Sequence, residues 1–140
     1  MARIKIELPE KQLASIELAV RISDINYGNH LGNDSLVGLL HDARVQWLRS
    51  LNFTELNIDG TGLIMSDLAV EYKAEAFYGD KLMVSIFVDD PSAGCFDLYY
   101  SVLNQNNLLI ARAKTGMVCY NYEKKKVVSI PESLKAILIS

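Results

Sequence analysis

The hydrophobic period of this chain changes close to residue 33, and that change limits the folds the chain can adopt. Over residues 13–22 apolar and polar residues alternate, which predicts a strand. Over residues 33–51 the apolar residues recur at helical spacing, which predicts one long helix with Asn33 or Asp34 as its N-cap. Most of the chain that follows alternates again, so this helix must pack its apolar stripe on one face of a sheet.

Turn signals divide the rest of the chain into strands. Alternating segments at residues 63–76, 82–88, 96–103 and 108–122 are separated by turns at 78–80, 91–94 and 104–107. A charged turn at 123–126 leads to a short extension at 127–130, and Pro131 opens a closing helix over 132–138. The predicted class is α+β, with a long helix, a short C-terminal helix and an antiparallel sheet of about five strands. One helix covers one face of such a sheet, so the second face is expected to be solvated or buried in an oligomer.

Composition narrows the classes of function. A chain of 140 residues, half of them apolar and 22% charged, predicts one domain over residues 1–140 with its core at about 13–138. A net charge of −3 gives no basis for nucleic-acid binding, and no apolar run reaches the ~18 residues of a membrane span. The N-terminus shows no signal-peptide core, and Cys95 and Cys119 form no C-x-x-C pair. Free thiols, no metal site and a cytoplasmic location are therefore expected.

Polar residues crowd the join between the first strand and the long helix. Asp24, Asn26, His30, Asn33 and Asp34 fall within a few positions of one another. A helix start offers free N–H groups and the positive end of the helix dipole, which can polarise a carbonyl or bind a phosphate. Asn and Asp before a helix are also typical caps and turn formers. The segment therefore predicts either a catalytic site or a well-capped turn.

The same segment, D-I-N-Y-G-N-H-L-G-N, resembles the opening motif D-x-D-x-x-G-H-V-N-N of the hotdog-fold acyl-CoA thioesterases, in the 4-hydroxybenzoyl-CoA thioesterase branch. Asp24, His30 and Asn33 stand at matching positions. The family's helix motif E-E-A-R is matched by H-D-A-R, in which Asp42 keeps one acid. Further matches follow in the family's order, at Tyr72, Gly79-Asp80 and the I-P-x-x-L of residues 130–134.

This resemblance covers residues 16–138 and implies a single hotdog domain whose long helix is wrapped by the sheet. It also implies hydrolysis of a coenzyme A thioester to a carboxylic acid and a free thiol, with the thioester as substrate and no cofactor. The family's active site lies between two subunits, so a homodimer or homotetramer is expected. The partners implied are a small acyl-CoA molecule and further copies of the chain, with no nucleic acid and no membrane.

Three departures from the family pattern bear on the chemistry. Asn26 stands where the family has its second Asp, and an amide neither accepts a proton at neutral pH nor acts as a carboxylate nucleophile. His41 replaces the first acid of the helix motif, and Glu75 replaces a proline. Either another group activates water, or the protein binds thioesters without cleaving them.

Four residues are the predicted catalytic set. Asp24 or Asp42 is expected to supply the carboxylate that orients or activates water. His30 is expected to accept a proton or to donate to the carbonyl. Asn26 is expected to position the water or the thioester.

A second set is predicted to bind substrate. Backbone N–H groups near Gly32, Asn33 and Asp34 suit the oxyanion that develops on the thioester carbonyl. Lys114 and Lys124 are candidates for contacts with the phosphates of coenzyme A.

Two alternatives stay open at this stage. A non-catalytic acyl-CoA binder would explain Asn26. A hydratase or dehydratase of the same fold is disfavoured, because its D-x-N-P-x-H loop is matched with Tyr27 in place of proline and His30 one residue late. The motifs identify neither the acyl group nor the packing mode of the oligomer, and the choice of coenzyme A over acyl carrier protein follows from the resemblance alone.

Overall fold

The computed structural model describes residues 2–140. The strands are β1 (Lys11–Ala19), β2 (Gly62–Tyr72), β3 (Lys81–Val88), β4 (Cys95–Leu103), β5 (Leu109–Asn121) and β6 (Lys126–Val127). The helices are α1 (Asn33–Ser50) and α2 (Glu132–Ile139), and a 3-10 turn covers Ile22–Asp24. The predicted succession of one strand, one long helix, a run of strands and a closing helix is confirmed. Neither α1 nor α2 is long and apolar enough to cross a membrane.

The strands form one antiparallel sheet in the order β1-β3-β4-β5-β2, and β6 pairs with the end of β5. The connection that carries α1 separates β1 from β2, which lie at opposite edges of this path. Within residues 2–140, β2 pairs with β5 alone, so its outer edge carries unpaired backbone groups. The free edge of β2 begins after Leu63, because the Leu63 N–H donates to the Glu55 carbonyl at 2.7 Å.

The core lies between α1 and the inner face of the sheet. Every second residue of β3 and β4 is buried, as the predicted alternation requires. The buried stripe of α1 comprises Leu36, Leu39, Leu40, Ala43, Arg44, Trp47 and Leu48. All but one of these residues are apolar, and the exception is Arg44. α2 joins the same core through Leu134 and Leu138.

The outer face of the sheet is partly covered by the N-terminal segment of the chain. The N-terminal segment crosses it, where Ile6 is buried and its N–H donates to Glu71 Oε1 at 3.3 Å. Beside this segment, the Lys114 ammonium contacts Asp67 Oδ1 at 2.8 Å and Asp97 Oδ1 at 3.3 Å. The chain therefore covers part of its own second face, which the sequence pattern had left to solvent or to a partner.

Several predicted boundaries are wrong for local reasons. β2 ends at Tyr72 instead of residue 76, because the N–H groups of residues 73 and 74 both donate to the Ile110 carbonyl. β1 ends at Ala19 instead of residue 22, because the Asp24 carboxylate accepts the Arg21 N–H at 2.8 Å and turns the chain. Ile22 is exposed as a result. The N-cap of α1 is Gly32 instead of Asn33 or Asp34, because the Gly32 N–H is already fixed on the Asp24 carbonyl at 3.0 Å.

Two glycines give a matched test of this packing. A Cβ on Gly94 would lie 2.8 Å from the Val128 carbonyl oxygen, a backbone atom that cannot move aside, whereas a Cβ on Gly38 in α1 would meet nothing within 4 Å. Gly94→Ala should lower the free energy of unfolding by about 1–3 kcal/mol, as overpacking does. Gly38→Ala should raise it by roughly 0.5–1 kcal/mol, because glycine is a poor helix former. Urea denaturation of both variants checks the opposite signs, and equal effects would contradict the packing at residue 94.

Candidate active site

The start of α1 opens onto a cleft that we call the helix-start cleft. Its volume is about 280 Å³, and its lining includes His30, Asn33, Leu36, Tyr72 and Glu75. The first hydrogen bond within the helix joins Leu36 N–H to the Gly32 carbonyl at 3.0 Å, so the N–H groups of residues 33–35 have no partner inside the helix. These groups and the positive end of the helix dipole favour the binding of a negatively charged oxygen at this end of the cleft.

Asn26 shapes the turn that leads to this cleft. Its Oδ1 accepts the Gly28 N–H at 2.9 Å, and its own N–H donates to the His30 carbonyl at 3.0 Å. The side chain is exposed, and no contact within residues 2–140 occupies its amide N–H₂ group. Asn26 therefore combines the turn-forming role with a free donor on the surface.

His30 lies at the mouth of the helix-start cleft with a defined tautomer. Its Nδ1 contacts the Leu31 carbonyl at 3.2 Å, and because a carbonyl only accepts, Nδ1 carries the proton in the neutral ring. Its Nε2 then presents a lone pair 3.8 Å from Glu75 Oε1, which is too far for a direct hydrogen bond. The imidazole can accept a proton from a group that enters between it and Glu75.

Asp24 is held by Arg21 and is buried. Its Oδ2 accepts from Arg21 N at 2.8 Å and Nε at 3.3 Å, and its Oδ1 accepts from Nη2 at 3.2 Å. Burial alone would raise the pKa of Asp24, but these hydrogen bonds and the charge of Arg21 outweigh it and lower the pKa. The carboxylate is thus ionised and fully engaged in closing the turn.

The remaining predicted residues lie away from the helix-start cleft. Asp42 is on an exposed face of α1, where its Oδ1 accepts from Gln46 Nε2 at 3.1 Å. Lys114 is on the outer face of the sheet between two carboxylates, which raise its pKa. Lys124 is in the exposed turn between β5 and β6. The structure therefore brings His30 and the helix start together in one cleft, with Asn26 hydrogen-bonded to the backbone of His30, but it does not bring Asp42, Lys114 or Lys124 to that cleft.

A second polar group lies two turns along α1, and we call it the mid-helix network. It consists of His41, Arg44, Glu55, Tyr100 and Thr115. Glu55 Oε1 contacts His41 Nε2 at 2.5 Å, and Glu55 Oε2 accepts from Arg44 Nε at 2.9 Å. Arg44 Nη1 donates to Tyr100 Oη at 3.1 Å, and Tyr100 Oη contacts Thr115 Oγ1 at 2.8 Å.

All members of this network except Tyr100 line a second cleft, the mid-helix cleft, of about 340 Å³ between α1 and β2. Its other walls are largely apolar and include Val37, Leu63, Ile64, Met65 and Leu68. Burial alone would lower the pKa of Arg44, but its hydrogen bonds to Tyr100 and Glu55 and the charge of Glu55 raise it, so the guanidinium stays charged. The cleft thus combines apolar walls with a fixed polar end, which is the usual composition of a ligand site.

Sequence patterns missed Glu55 altogether, because it lies in the irregular connection after α1. An indirect signal does exist. Arg44 occupies a position four residues after Leu40 and four before Leu48, inside the apolar stripe of α1. A guanidinium buried at such a position requires an acidic partner, and the connection that follows the helix was the place to seek one.

Cys95 is exposed and Cys119 is buried, and both are free. Burial raises the pKa of the Cys119 thiol to about 11, so it is a weak nucleophile at neutral pH. Within residues 2–140, no three His, Cys, Asp or Glu side chains are grouped so as to hold a metal ion.

The sequence of this chain matches one family of known proteins. The family model described as Thioesterase-like superfamily matches residues 20–138. The chain is 28% identical over 125 residues to the acyl-CoA thioesterase YbgC of Haemophilus influenzae, covering 87% of this chain and 91% of that protein. It is 26% identical over 120 residues to the 1,4-dihydroxy-2-naphthoyl-CoA hydrolase of Synechocystis, covering 83% and 87%.

Solved structures agree on the fold. A 1,4-dihydroxy-2-naphthoyl-CoA thioesterase from Synechocystis superposes with a TM-score of 0.82 at 23% identity, covering 90% of this chain and 95% of that one. A hypothetical protein from Staphylococcus aureus, solved in complex with CoA, gives 0.83 at 15% identity, covering 96% and 86%. The predicted hotdog fold is confirmed.

The buried hydroxyl of Tyr100 provides a test of the mid-helix network. Tyr100→Phe keeps the ring but leaves Arg44 Nη1 and Thr115 Oγ1 without that partner, so it should lower the free energy of unfolding by about 1–3 kcal/mol. Tyr99→Phe, at the next position of β4 on the other face of the sheet, is the matched control and should change it by less than about 0.5 kcal/mol. Chemical denaturation compares the two variants. Equal stabilities would mean that the hydroxyl does not anchor Arg44.

Proposed function

The chain belongs to the thioesterase-like superfamily, and from that premise we propose that it is an acyl-CoA thioesterase. It hydrolyses the thioester of a coenzyme A conjugate to a carboxylic acid and free coenzyme A. The observation that carries the proposal is the match to this family over residues 20–138, combined with an open cleft at the start of α1. The two curated relatives are both enzymes that cleave coenzyme A thioesters by name.

The helix start suits the central electrostatic requirement of the reaction. Water attacks the thioester carbonyl, and negative charge develops on the carbonyl oxygen. N–H groups of residues 33–35 that have no partner within α1 are fixed donors for that charge, and they need no rearrangement during the reaction. The thioester carbonyl is therefore proposed to bind against these groups.

Asn26 and His30 are proposed to act beside that carbonyl. The free N–H₂ group of Asn26 donates to the attacking water or to the thioester, and it positions the reacting atoms without removing a proton. The Nε2 lone pair of His30 is available to a group that enters between the imidazole and Glu75. Asp24 contributes by holding the turn, and Asp42 remains a less favoured candidate because it faces Gln46.

Coenzyme A is the preferred carrier over acyl carrier protein. The names of both curated relatives specify coenzyme A, and one structural neighbour was solved in complex with it. Lys124 is exposed and available for a phosphate contact, whereas Lys114 is already shared by Asp67 and Asp97. The two free thiols favour a reducing compartment such as the cytoplasm.

The working unit is proposed to be a homodimer built on the free edge of β2. Exposed apolar side chains cluster on this strand, at Ile64, Met65, Leu68 and Tyr72. The opposite edge strand, β1, instead exposes the polar residues Gln12, Ser15 and Glu17. A second copy of β2, paired antiparallel, would satisfy the backbone groups and cover the apolar side chains.

A non-catalytic acyl-CoA binder is the second candidate. It is favoured by Asn26, which replaces an acid of the resembled motif with a group that cannot serve as base or nucleophile. Under this alternative the protein binds acyl-CoA and releases no thiol.

Measurement of thiol release from a panel of short, long and aromatic acyl-CoAs distinguishes a thioesterase from a non-catalytic binder. The purified protein should release free coenzyme A from at least one conjugate. Asn26→Ala should lower kcat by about 10-fold or more with little change in KM, because a donor that positions the reacting groups is lost. Asn106→Ala, an exposed amide in the β4–β5 turn, is the control and should match the wild type. Binding without thiol release from any conjugate would favour the binder.

Substitution of two methionines of similar exposure tests the proposed dimer. Met65 on β2 is 44% exposed, and Met83 on β3 is 38% exposed. Met65→Lys places a charge in the proposed interface and should shift the protein from dimer to monomer at micromolar concentration, since interface cores exclude lysine. Met83→Lys should leave the dimer intact. Sedimentation velocity measures both, and a monomeric wild type would contradict the proposed assembly.

A further inference from the structure

We infer that His41 and Glu55 form the proton-transfer pair of the reaction, with His41 as the general base that activates water. The inference rests on the proposed thioesterase function, and it replaces the carboxylates that the sequence pattern favoured for this role. Three observations support this role of His41. They are the geometry of the mid-helix network, the contacts that occupy the competing acids, and the position of the network beside the start of β2.

The pair has the arrangement of an oriented base. Glu55 Oε1 lies 2.5 Å from His41 Nε2, and because a carboxylate only accepts, Nε2 carries the ring proton. Nδ1 then holds the lone pair, and no hydrogen bond within residues 2–140 occupies it. The His41 side chain is 56% exposed at the rim of the mid-helix cleft, so this lone pair is accessible to water.

Glu55 is held by hydrogen bonds to both its side chain and its backbone. Its Oε2 accepts from Arg44 Nε at 2.9 Å, and its backbone carbonyl accepts the Leu63 N–H of β2 at 2.7 Å. Arg44 is itself anchored on Tyr100. A carboxylate fixed in this way holds the imidazole in one tautomer and stabilises the imidazolium that forms when Nδ1 takes a proton, as in other His–carboxylate pairs.

The other candidate acids and bases are less suitable for activating water. Both carboxylate oxygens of Asp24 are hydrogen-bonded to Arg21, and Asp42 accepts from Gln46 on a different face of α1. His30 has its nearest carboxylate oxygen at 3.8 Å. Within residues 2–140, His41 and Glu55 are therefore the one His–carboxylate pair at hydrogen-bonding distance.

Gly38 is an independent sign that space beside His41 is needed. It lies three residues before His41 on the same side of α1 and also lines the mid-helix cleft. Glycine inside a helix is costly, and here a Cβ would meet nothing within 4 Å, so packing does not require glycine at this position. A missing side chain instead leaves room next to the imidazole for a substrate.

His41 and the oxyanion donors cannot meet on one chain. Eight residues separate Asn33 from His41, which is about 12 Å along the helix at ~1.5 Å per residue. Antiparallel pairing of two β2 strands about a two-fold axis puts the start of one strand beside the end of the other. The start of β2 binds Glu55 through Leu63, and its end binds the helix start through Tyr72 Oη and the Asn33 carbonyl at 3.0 Å. In the dimer, each His41 thus faces the partner's helix start.

The reaction balances with these groups. A water oxygen attacks the thioester carbon while its proton passes to His41 Nδ1, and the oxyanion forms against the N–H groups of the partner's helix start. Collapse of the tetrahedral intermediate breaks the C–S bond, and the imidazolium returns the proton to the departing thiolate. One water is consumed, and a carboxylic acid and a free thiol are released.

The first experiment measures steady-state thiol release by His41→Gln. Glutamine keeps an N–H donor for Glu55 but cannot accept a proton, so kcat should fall by about 10²–10⁴-fold with KM little changed. Added imidazole should restore activity to His41→Ala, which a purely structural role of His41 would not allow. Arg49→Gln, at an exposed position of the same helix, is the matched control. A fully active His41→Gln beside an active wild type would overturn the role of His41 alone, whereas a wild type that cleaves no conjugate would overturn the thioesterase function as well.

The second experiment tests action across the dimer. His41→Gln and Asn26→Ala chains with different tags are co-expressed, and the heterodimer is purified through both tags. One of its two sites then combines an intact His41 with an intact partner turn, so it should recover about half of wild-type activity. If each chain instead worked alone, both sites would carry a defect and the heterodimer would show only the average of the two parent variants, which would overturn the arrangement across the dimer.

Discussion

The buried guanidinium of Arg44 is the constraint on which much of this structure depends. A charge inside the apolar stripe of a helix is tolerated only when it is paired and hydrogen-bonded. Arg44 meets this requirement with Glu55 from the connection after α1 and with Tyr100 from β4. These contacts tie the long helix to the sheet and fix the path of the connection that leads into β2. The same requirement orients Glu55, and through Glu55 it orients His41.

Alternation and helical spacing predicted the elements of this fold because each reports burial on one side of a regular element. The strand over residues 82–88 and the helix over 33–51 were placed within about a residue of their observed bounds. The end of β1 and the N-cap of α1 were misplaced, since both depend on Asp24, whose side chain and carbonyl hydrogen-bond across the turn. Glu55 could not be found from local pattern, because its role is set by an arginine eleven residues earlier. The loop motif did place Asn26 and His30 beside the helix start, whereas Lys114 was assigned without knowledge of which face of the sheet it occupied.

Under the proposed mechanism, the requirements of the reaction are divided between two clefts, one at the start of α1 and one two turns further along it. The first cleft offers backbone donors at the positive end of the helix dipole, and the second offers a fixed acceptor beside apolar walls. Both border β2, whose outer edge beyond Leu63 has no strand partner within residues 2–140. A free, apolar edge is a hazard in a monomer, and pairing with a second copy removes it. In the proposed dimer, the same pairing would bring the helix-start cleft of one copy beside the mid-helix cleft of the other, so one contact would both stabilise the assembly and complete the site.

The amide of Asn26 is consistent with a base located elsewhere. Asp34 and Glu75 already place two carboxylates near the helix start, and Asp34 lies close enough to Gly32 that a Cβ there would be 2.9 Å from its Oδ1. A third carboxylate at residue 26 would add negative charge where the oxyanion must form, and it would weaken the effect of the helix N–H groups. An amide retains the turn, because its Oδ1 still accepts the Gly28 N–H, and it supplies donors without charge. With His41 as the proposed base, a neutral residue at this turn would favour the oxyanion and would not by itself abolish catalysis.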